Sequence, residues 1–407
     1  CEHSCPVGIN VPGYVALIKE GRYEDACSLI MQKLPFPMSV GRVCPAFCQS
    51  KCRRSQVDES IAIRHLKRFT SDYAYEHGFE YKPEMKSGKK ERAAIIGSGP
   101  AGLAAAWDLA VEGYKVTVFE AFPAAGGMLA TGIPEYRLPK KVLRREIENV
   151  EKLGVEIRLN TRITDIDSLF SEGFDAVLIA VGAHRGTSMN ISGEQMQGVV
   201  KAIDYLRDIN LGKEVTTGKK VAVVGGGNAA IDAARVSLRQ GAEEVHLLYR
   251  RSIADMPAEE EEITATIDEG IIIHERTVPV RVIEKEGQVA AVECIKNRLA
   301  NFDASGRRAP EPIEGSEYII DVDMLIEAVG QEPETEWLEK ESITINRNKT
   351  VKADKRTLLT ERQGVFTAGD AYIGPSTVIE AVASGQRAAS SIKRYLQGEQ
   401  LLPTVYR

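Results

Sequence analysis

The hydrophobic pattern of residues 92–120 predicts a strand, a turn, a helix and a second strand. Residues 93–96 form a short apolar run, which is typical of a parallel strand that is buried on both faces. A segment rich in Ala and Leu follows, and residues 116–119 form a second apolar run that ends at Glu120. This order of elements is that of the first βαβ unit of a doubly wound α/β domain.

Three glycines in the turn of this unit, Gly97, Gly99 and Gly102, form the pattern G-x-G-x-x-G. The first permits a tight turn, the second lets the backbone approach a pyrophosphate, and the third lets the helix pack on the strand. Phosphates would lie at the helix N-terminus, where unpaired N–H groups and the helix dipole favour negative charge. The carboxylate of Glu120 can accept hydrogen bonds from a ribose. The unit therefore predicts a dinucleotide site, and the alternative is a turn that serves packing alone.

Residues 219–251 repeat this organisation with a strand at 220–224, glycines at 225–227 and a helix at 231–239. In place of the acid of the first unit, the second strand is followed by Arg250 and Arg251. An acid suits a free 2′-hydroxyl group, whereas arginines can bind a 2′-phosphate bidentately. The second unit therefore predicts NADPH rather than NADH, and the alternative is a solvated arginine pair at a strand end.

Two further segments, residues 175–182 and 323–330, both begin with Asp and end with Ala-Val-Gly. This internal similarity predicts that both strands return the chain to one sheet, with the second nucleotide domain inserted between them. Downstream, residues 376–395 predict a long helix. The preceding Asp370 can bind a sugar-alcohol hydroxyl, and the alternative role is that of a helix cap.

The first 88 residues predict a helical module that carries most of the cysteines. Residues 11–30 have apolar residues at helical spacing, broken by Gly21 into two short helices, and residues 61–75 predict another helix. Cys27 falls on the apolar side of its helix, which indicates core packing. The polar residues 82–91 predict a linker to the first βαβ unit.

The other cysteines of this module form two groups, Cys1 with Cys5, and Cys44 with Cys48 and Cys52. Each group contains a Cys-Pro pair, as bacterial ferredoxins do, and thiolates are soft ligands that suit iron. Zinc is an alternative, although zinc sites usually show pairs of ligands in a closed set of four, whereas this is an odd set of five with no supporting His pair. Redox or disulfide chemistry also remains open.

Composition and charge restrict the functions further. A chain of 407 residues can hold two or three domains, and a net charge of -6 argues against a nucleic-acid partner or an acidic membrane surface. We expect no membrane span, since every apolar run is too short, and without a secretory signal we expect a cytoplasmic protein. Residue 1 is Cys rather than Met, which predicts a processed or trimmed chain.

An ordered set of motifs extends over essentially the whole chain. It comprises CPVGINVPGY, GRVCP, IIGSGPAG, GGML, GIPEYRLP, VVGGGNAAIDAAR, YRRS, MPAEEEE, EAVGQEP and GVFTAGDA. On these motifs the chain resembles the small (beta) subunit of glutamate synthase and its relatives, which are flavin-dependent NAD(P)H oxidoreductases with an N-terminal cluster module. The resemblance implies an α/β fold with two Rossmann-like dinucleotide-binding domains, one inserted in the other, preceded by an α-helical iron–sulfur domain. The implied domains are the iron–sulfur domain at 1–88, the FAD-binding domain at 89–197 and 326–407, and the NADP(H)-binding domain at 198–325.

The resemblance also implies which residues bind FAD, NADP(H) and the [4Fe-4S] cluster. The residues expected at FAD are Gly97, Ser98, Gly99, Pro100, Ala101, Gly102, Glu120, Gly126, Gly127, Met128, Leu129, Arg137, Gly369, Asp370, Thr377 and Val378. Those expected at NADP(H) are Gly225, Gly227, Asn228, Ala229, Arg250 and Arg251. Those expected at iron are Cys1, Cys5, Cys44, Cys48 and Cys52.

This chain departs from its relatives in two respects that concern the metal. Relatives with two clusters carry further cysteines upstream of the position of Cys1, and some use Gln or Glu as an iron ligand where this chain has Lys67. An ammonium group is a poor ligand for iron. We therefore expect one [4Fe-4S] cluster, and a second only where upstream residues or a partner supply ligands.

The implied function is electron transfer from NADPH via FAD to the cluster and then to a partner protein, within a hetero-oligomer. The expected acceptor is a glutamate synthase large subunit, a ferredoxin or another iron–sulfur or flavin protein, and no catalytic acid–base residue is expected. A thioredoxin-reductase-type flavoenzyme is one alternative, but it needs a C-x-x-C pair that this sequence lacks. A non-catalytic scaffold with a vestigial flavin fold is another, and the intact glycines, Glu120 and Asp370 argue against it.

Overall fold

The computed structural model describes residues 1–303 and 306–401, which form two compact units. One unit comprises Cys1–Ala130, Glu135–Ala183 and the chain from Glu332 onwards, and the other comprises Thr131–Pro134 and His184–Gln331. In the sequence, most of the second unit is inserted within the first. Residues 402–407, which the sequence assigned to the FAD-binding domain, lie outside the described residues. The boundaries of the three predicted domains remain predictions.

The helices and strands have the following bounds. The α-helices are α1 Val11–Lys19, α2 Tyr23–Met31, α3 Pro37–Val43, α4 Phe47–Ser50, α5 Ile63–Glu76, α6 Pro100–Val111, α7 Met128–Thr131, α8 Lys140–Glu151, α9 Ile166–Ser171, α10 Ala202–Asn210, α11 Asn228–Arg239, α12 Glu260–Asp268, α13 Asp370–Ile373 and α14 Val378–Leu396. The strands are β1 Arg92–Ile96, β2 Lys115–Phe119, β3 Glu156–Arg158, β4 Ala176–Ile179, β5 Arg185–Gly186, β6 Val199–Lys201, β7 Lys220–Val224, β8 Glu244–Tyr249, β9 Ile272–Glu275, β10 Thr277–Lys285, β11 Gln288–Phe302, β12 Arg308–Pro312, β13 Tyr318–Asp321, β14 Met324–Glu327, β15 Gln331–Glu332 and β16 Val365–Thr367.

The N-terminal module is helical, as predicted. Helix α1 begins after Asn10, whose side chain accepts a hydrogen bond from the backbone of Gly13 at 2.9 Å and so satisfies one of the free N–H groups of the first turn. Gly21, at φ +74°, lies between α1 and α2, which confirms the predicted break. Cys27 is buried in α2, which confirms its assignment to the core.

The first sheet has five parallel strands in the order β16-β4-β1-β2-β3. Its central strands are almost entirely apolar and buried, as expected for a parallel sheet that is covered on both faces. Helices α6 and α14 pack against each other very closely, because a Cβ atom on Gly385 would lie 2.1 Å from the carbonyl oxygen of Ala101. Only glycine permits this approach, so Gly385 fixes α14 against the start of α6.

The second unit contains another parallel sheet, in the order β6-β14-β7-β8-β9. An antiparallel sheet, β10-β11-β12 with β13 beside β11, contributes to the same apolar core. Val292, Cys294 and Val282 of the antiparallel sheet pack with Ala222 and Leu325 of the parallel one. Strands β10 and β11 form an antiparallel hairpin in which Thr277 lies opposite Lys296.

The two similar segments that end in Ala-Val-Gly lie in different sheets. Strand β4 pairs with β1, whereas β14 pairs with β7, so the prediction that both return to one sheet is wrong. The similarity reflects the same local role in each sheet. Asp175 accepts a hydrogen bond from the backbone of Arg92 at the start of β1, and Asp323 accepts one from Lys220 at the start of β7. Each aspartate therefore anchors the start of the neighbouring central strand.

Candidate functional site

The turn after β1 contains two glycines that the fold itself requires. Gly97 has φ +106°, and a Cβ atom there would lie 2.3 Å from the carbonyl oxygen of Ala180, which follows β4. A Cβ atom on Gly102 would lie 2.0 Å from the carbonyl oxygen of Gly97. Both positions exclude any larger residue on steric grounds.

The middle glycine of this turn has no such requirement. Gly99 is the residue that precedes α6, its φ of -68° is accessible to any residue, and the nearest atom to a Cβ there would be the Cα of Gly127 at 4.0 Å. The space beside Gly99, at the N-terminus of α6, therefore holds no protein atom closer than 4.0 Å to a Cβ atom built there. That space fits a pyrophosphate, which would accept hydrogen bonds from the N–H groups of the first helical turn.

Two distant segments of the chain lie against the same turn. A Cβ atom on Gly127 would lie 2.7 Å from the Cα of Gly99, and one on Gly369 would lie 2.9 Å from the Cβ of Ala101. Residues predicted at the flavin from three parts of the sequence thus meet at the start of α6. Gly369 itself has φ +66°, and its N–H group donates to Ser384 Oγ at 2.8 Å.

Glu120 is 5% exposed and holds the turn in place. Its Oε2 accepts hydrogen bonds from the backbone nitrogen of Ser98 at 3.0 Å and from Ser98 Oγ at 2.5 Å, and its Oε1 accepts one from the backbone of Phe122 at 2.9 Å. Each carboxylate oxygen offers two lone-pair directions, so Oε1 retains one for a ribose hydroxyl. Glu120 can therefore hold the turn and also bind a ribose hydroxyl.

Asp370 opens the short helix α13 beside Gly369, and Ser376 donates to its Oδ1 at 3.2 Å. Burial raises the pKa of Asp370 to about 6. Thr377 caps α14 in a reciprocal pair with Glu380, so the role of Asp370 is distinct from that of the α14 cap. A carboxylate that burial destabilises gains from a hydroxyl donor, which is what a sugar alcohol offers.

The remaining residues predicted near the flavin differ in exposure. Leu129 is fully buried, so it serves the core, whereas Met128, Arg137 and Val378 are half-buried. Next to this loop, Lys140 donates to the carbonyl oxygen of Ala130 at 2.6 Å, and burial lowers its pKa to about 8.

The glycine turn after β7 also combines positions that admit only glycine with one open position. A Cβ atom on Gly225 would lie 2.5 Å from the carbonyl oxygen of Ala328, which occupies the place that Ala180 has in the first unit. One on Gly226 would lie 2.3 Å from the ring of Tyr249. Gly227, which precedes α11, is open, because the nearest atom to a Cβ would be Pro257 Cγ at 4.0 Å. The space beside Gly227 also fits a dinucleotide phosphate. We call this space and the one beside Gly99 the two cradles.

The two arginines after β8 have different environments. Arg251 is 2% exposed, and it donates from Nε to the carbonyl oxygen of Arg308 at 2.7 Å and from Nη2 to Asp303 at 2.5 Å. Arg250 is exposed, and its pKa is lowered by partial burial and by the neighbouring Arg251. Only the guanidinium of Arg250 is therefore placed to meet a ligand from solvent. Asn228 accepts a hydrogen bond from the backbone of Glu259 at 3.2 Å.

Three of the five predicted iron ligands line one cavity. The cysteines Cys5, Cys44 and Cys48 surround it together with Tyr14 and Lys67. Burial and the neighbouring thiols raise the pKa of Cys48, since three thiolates in one cavity repel each other. A cationic iron centre would relieve this repulsion, so the cavity fits a cluster.

The other two predicted ligands are not among the residues that line this cavity. Cys1 is exposed, and Cys52 is half-buried. Backbone hydrogen bonds from Ile61 and Arg54 lower the pKa of Cys52, which favours the thiolate form that binds metals. The cavity thus brings together three of the five predicted ligands, and the places of Cys1 and Cys52 as ligands remain predictions.

No three cysteine sulfurs within the described residues lie within 4.8 Å of one another, as the ligands of one zinc ion would. In a four-iron cluster each thiolate binds a different iron atom, so wider spacing is suitable. The described residues do hold one close carboxylate group, Asp165, Asp167 and Glu341, and Arg362 pairs with two of its members. This carboxylate group therefore serves ion pairs with Arg362.

Sequence reasoning missed Tyr14 and Ser384. Tyr14 is 1% exposed in the cysteine cavity, and its hydroxyl donates to the carbonyl oxygen of Ile63 at 3.3 Å. Both residues sit at positions of a helix that read as ordinary core in the sequence. No local signal distinguishes them.

The chain matches known proteins over its whole described length. Residues 91–385 match the family described as pyridine nucleotide-disulphide oxidoreductase, and residues 1–79 match domain II of dihydropyrimidine dehydrogenase with its 4Fe-4S cluster. The beta subunit of NADP(+)-dependent formate dehydrogenase from Moorella thermoacetica is 43% identical over 100% of this chain and 61% of its own length. The small chain of glutamate synthase [NADPH] from Escherichia coli is 33% identical over 98% of this chain and 88% of its own length.

The fold also matches solved structures. The His57Gln mutant of FprA from Mycobacterium tuberculosis superposes with a TM-score of 0.66 over 76% of this chain and 85% of FprA, at 20% identity. At this identity the likeness concerns the fold, which is that of two parallel Rossmann-like sheets. The chain spans about three fifths of the length of the Moorella relative.

Among the described residues, each helix is too short or too polar to cross a membrane. The match of both segments, the 33% identity to a glutamate synthase small chain over nearly its whole length, and the two cradles with a cysteine cavity agree with one another. The chain belongs to the glutamate synthase small chain-like family of NAD(P)H oxidoreductases, with an FAD/NAD(P)-binding region and a 4Fe-4S cluster domain.

Proposed function

We propose that this chain is the NADPH-oxidising subunit of a hetero-oligomeric enzyme, passing electrons via FAD and a [4Fe-4S] cluster to a partner protein. The observation that carries the proposal is the pair of open glycines, Gly99 and Gly227. Each precedes a helix, and a Cβ atom built on either glycine would have its nearest protein neighbour 4.0 Å away. Two such cradles in one chain suit two dinucleotides.

In the first unit, the cradle at Gly99 would hold the FAD pyrophosphate, and Glu120 would accept a hydrogen bond from the adenosine ribose. Asp370, which lies beside the start of α6, would bind the ribityl hydroxyls. These assignments follow the contacts of Gly127 and Gly369 with the turn. The chain's own contribution is to fix the cofactor and to exclude water from its buried part.

In the second unit, the cradle at Gly227 would hold the NADPH pyrophosphate. Arg250 is exposed where β8 ends, which supports recognition of a 2′-phosphate, whereas Arg251 serves the fold. When bound, NADPH would supply a hydride, and FAD would accept it and allow electrons to leave one at a time.

The cysteines would carry electrons out of the protein. Cys5, Cys44 and Cys48 would hold a cluster in their cavity, with Cys1 and Cys52 as the remaining predicted ligands. A second cluster would need ligands from upstream residues or from a partner. The relatives carry the names of two different enzymes, a formate dehydrogenase and a glutamate synthase. The acceptor is therefore proposed only by class, as an iron–sulfur or flavin protein subunit.

The experiment is anaerobic purification with co-purifying subunits, followed by rapid mixing with NADPH and then with NADH. We expect loss of the visible flavin absorbance, then an electron paramagnetic resonance signal of a reduced cluster, with NADPH acting faster than NADH. A purified chain that contains flavin but is not reduced by either nucleotide would contradict the proposal. The Gly227→Ala variant is the matched control, since it should retain flavin and lose the NADPH response.

A further inference from the structure

The cavity of Cys5, Cys44 and Cys48 contains a buried cation. Lys67 of α5 lines the cavity and is 5% exposed. Cys48, one of the predicted iron ligands, lines the same cavity. A lysine is rarely buried to this extent unless its ammonium group meets negative charge.

Among the described residues that line this cavity, the cysteines are the source of negative charge available to Lys67. The described residues that line the cavity include no Asp or Glu, and apart from Lys67 the only charged one is Arg64. The guanidinium of Arg64 donates to the backbone carbonyl oxygen of Cys44 at 3.1 Å. The thiolates, or a centre that they bind, are thus the available counter-charge for the ammonium group.

We propose that Lys67 is the counter-charge of the iron–sulfur cluster held by Cys5, Cys44 and Cys48, and that it raises the reduction potential of this cluster. The inference rests on the proposed function for the presence of the cluster. Reduction adds one electron, and therefore one negative charge, to a centre with three thiolates. A fixed positive charge in the same cavity of low polarity stabilises the reduced form more than the oxidised form. Lys67 acts through its positive charge and needs no bond to iron.

The test is a redox titration of the anaerobically purified full chain with dithionite, followed by electron paramagnetic resonance. The signal that disappears in Cys48→Ser identifies the cluster in question. In Lys67→Gln and Lys67→Met we expect the equilibrium constant for reduction of this cluster to fall at least tenfold, which is about 59 mV for a one-electron couple. Lys67→Arg keeps the charge and should stay within about threefold of the natural chain. Lys19→Gln removes an exposed lysine and should change nothing.

Each outcome bears on the proposal. An unchanged potential in Lys67→Gln at full iron content overturns it, and so does the absence of any signal that depends on Cys48. Loss of iron in Lys67→Gln and Lys67→Met with retention in Lys67→Arg supports a need for the charge. Loss of iron in all three variants makes Lys67 a ligand or a packing residue and overturns the proposal. Since dithionite replaces NADPH, a failure of NADPH oxidation would be seen separately in the flavin.

Discussion

The Oε1 atom of Glu146 lies 2.7 Å from the backbone nitrogen of Met38, and its Oε2 lies 3.1 Å from that of Ser39. These two N–H groups belong to the first turn of α3, which has no internal partner for them. Glu146 lies on α8, in the first nucleotide-binding region. A buried carboxylate of that region therefore holds the start of the helix that leads into Cys44.

This contact makes the stability of the first unit depend on pH. Burial raises the pKa of Glu146 from 4.5 to about 7. Between these values the folded chain keeps a proton that the unfolded chain has lost. The contribution to stability is thus fully present below about pH 4.5 and is lost as the pH rises through about 7.

In Glu146→Gln this dependence should disappear. We expect the free energy of unfolding of the natural chain to fall by about 3 kcal/mol relative to the variant between pH 4.5 and 8, measured by denaturant titration. A constant offset from the lost acceptor for Ser39 does not affect this slope. Glu151 is exposed on the same helix, so Glu151→Gln should keep the natural slope. A difference between natural chain and Glu146→Gln that is independent of pH would contradict the assignment.

Much of the fold follows from local pattern, whereas pairing between distant residues does not. The glycine turns, the helix break at Gly21 and the hairpin β10–β11 are encoded within a few residues of one another. The sheet to which β14 belongs is decided by its register with β7, about a hundred residues earlier, so the similar ending Ala-Val-Gly misled the prediction.

The candidate site was likewise predictable from local sequence, but not where it depends on distant residues. The cradles were visible as motifs, because a turn and its helix are contiguous in sequence. The burial of Arg251 was not, since it depends on Asp303 and Arg308 in another part of the chain. The grouping of Cys5, Cys44 and Cys48 around one cavity likewise depends on how α1, α3 and α5 pack.

The open glycines should respond to alanine differently from the closed ones. Gly99→Ala places a methyl group 4.0 Å from its nearest protein neighbour, so the chain should fold and lose at least tenfold in flavin content. Gly227→Ala should keep flavin and raise the Kd for NADP+ at least tenfold, as measured by titration calorimetry. A tenfold change corresponds to about 1.4 kcal/mol.

The controls are Gly97→Ala and Gly102→Ala. Their methyl groups would lie 2.3 and 2.0 Å from backbone oxygens, so these variants should lose soluble, folded protein rather than ligand alone. If Gly99→Ala retained its full flavin content, the cradle would not be the pyrophosphate site.

Substitution of Arg250 should change the preference between coenzymes, whereas substitution of Arg251 should change the stability of the fold. In Arg250→Ala we expect the Kd for NADP+ to rise about 10- to 100-fold, because a charge-assisted hydrogen bond contributes about 1.5–3 kcal/mol. The Kd for NAD+ should stay within about threefold. Arg251→Ala should instead lower the free energy of unfolding by about 2 kcal/mol or more, since it removes the partners of Asp303 and of the Arg308 carbonyl. An equal effect of Arg250→Ala on both coenzymes would exclude Arg250 from 2′-phosphate recognition.

The ion pair of Lys201 and Glu327 gives the last prediction. The side chain of Glu327 is fully buried, burial raises its pKa, and Lys201 pairs with its Oε2 while also donating to Ser188 at 2.8 Å. Lys201 is 23% exposed, so its ammonium group can reach water if the acid is removed. Lys201→Met leaves a buried carboxylate unpaired and should cost about 3 kcal/mol near neutral pH, whereas Glu327→Gln should cost about 1 kcal/mol.

The double variant Lys201→Met with Glu327→Gln distinguishes pairing from packing. We expect it to be more stable than Lys201→Met alone, because the unpaired charge is then absent. The deficit of Lys201→Met should also shrink as the pH falls, since protonation removes the buried charge of Glu327, whose raised pKa places this change above the ordinary range of a glutamate. Additive losses in the double variant, with no dependence on pH, would mean that Lys201 stabilises the second unit through its methylene groups rather than through its charge.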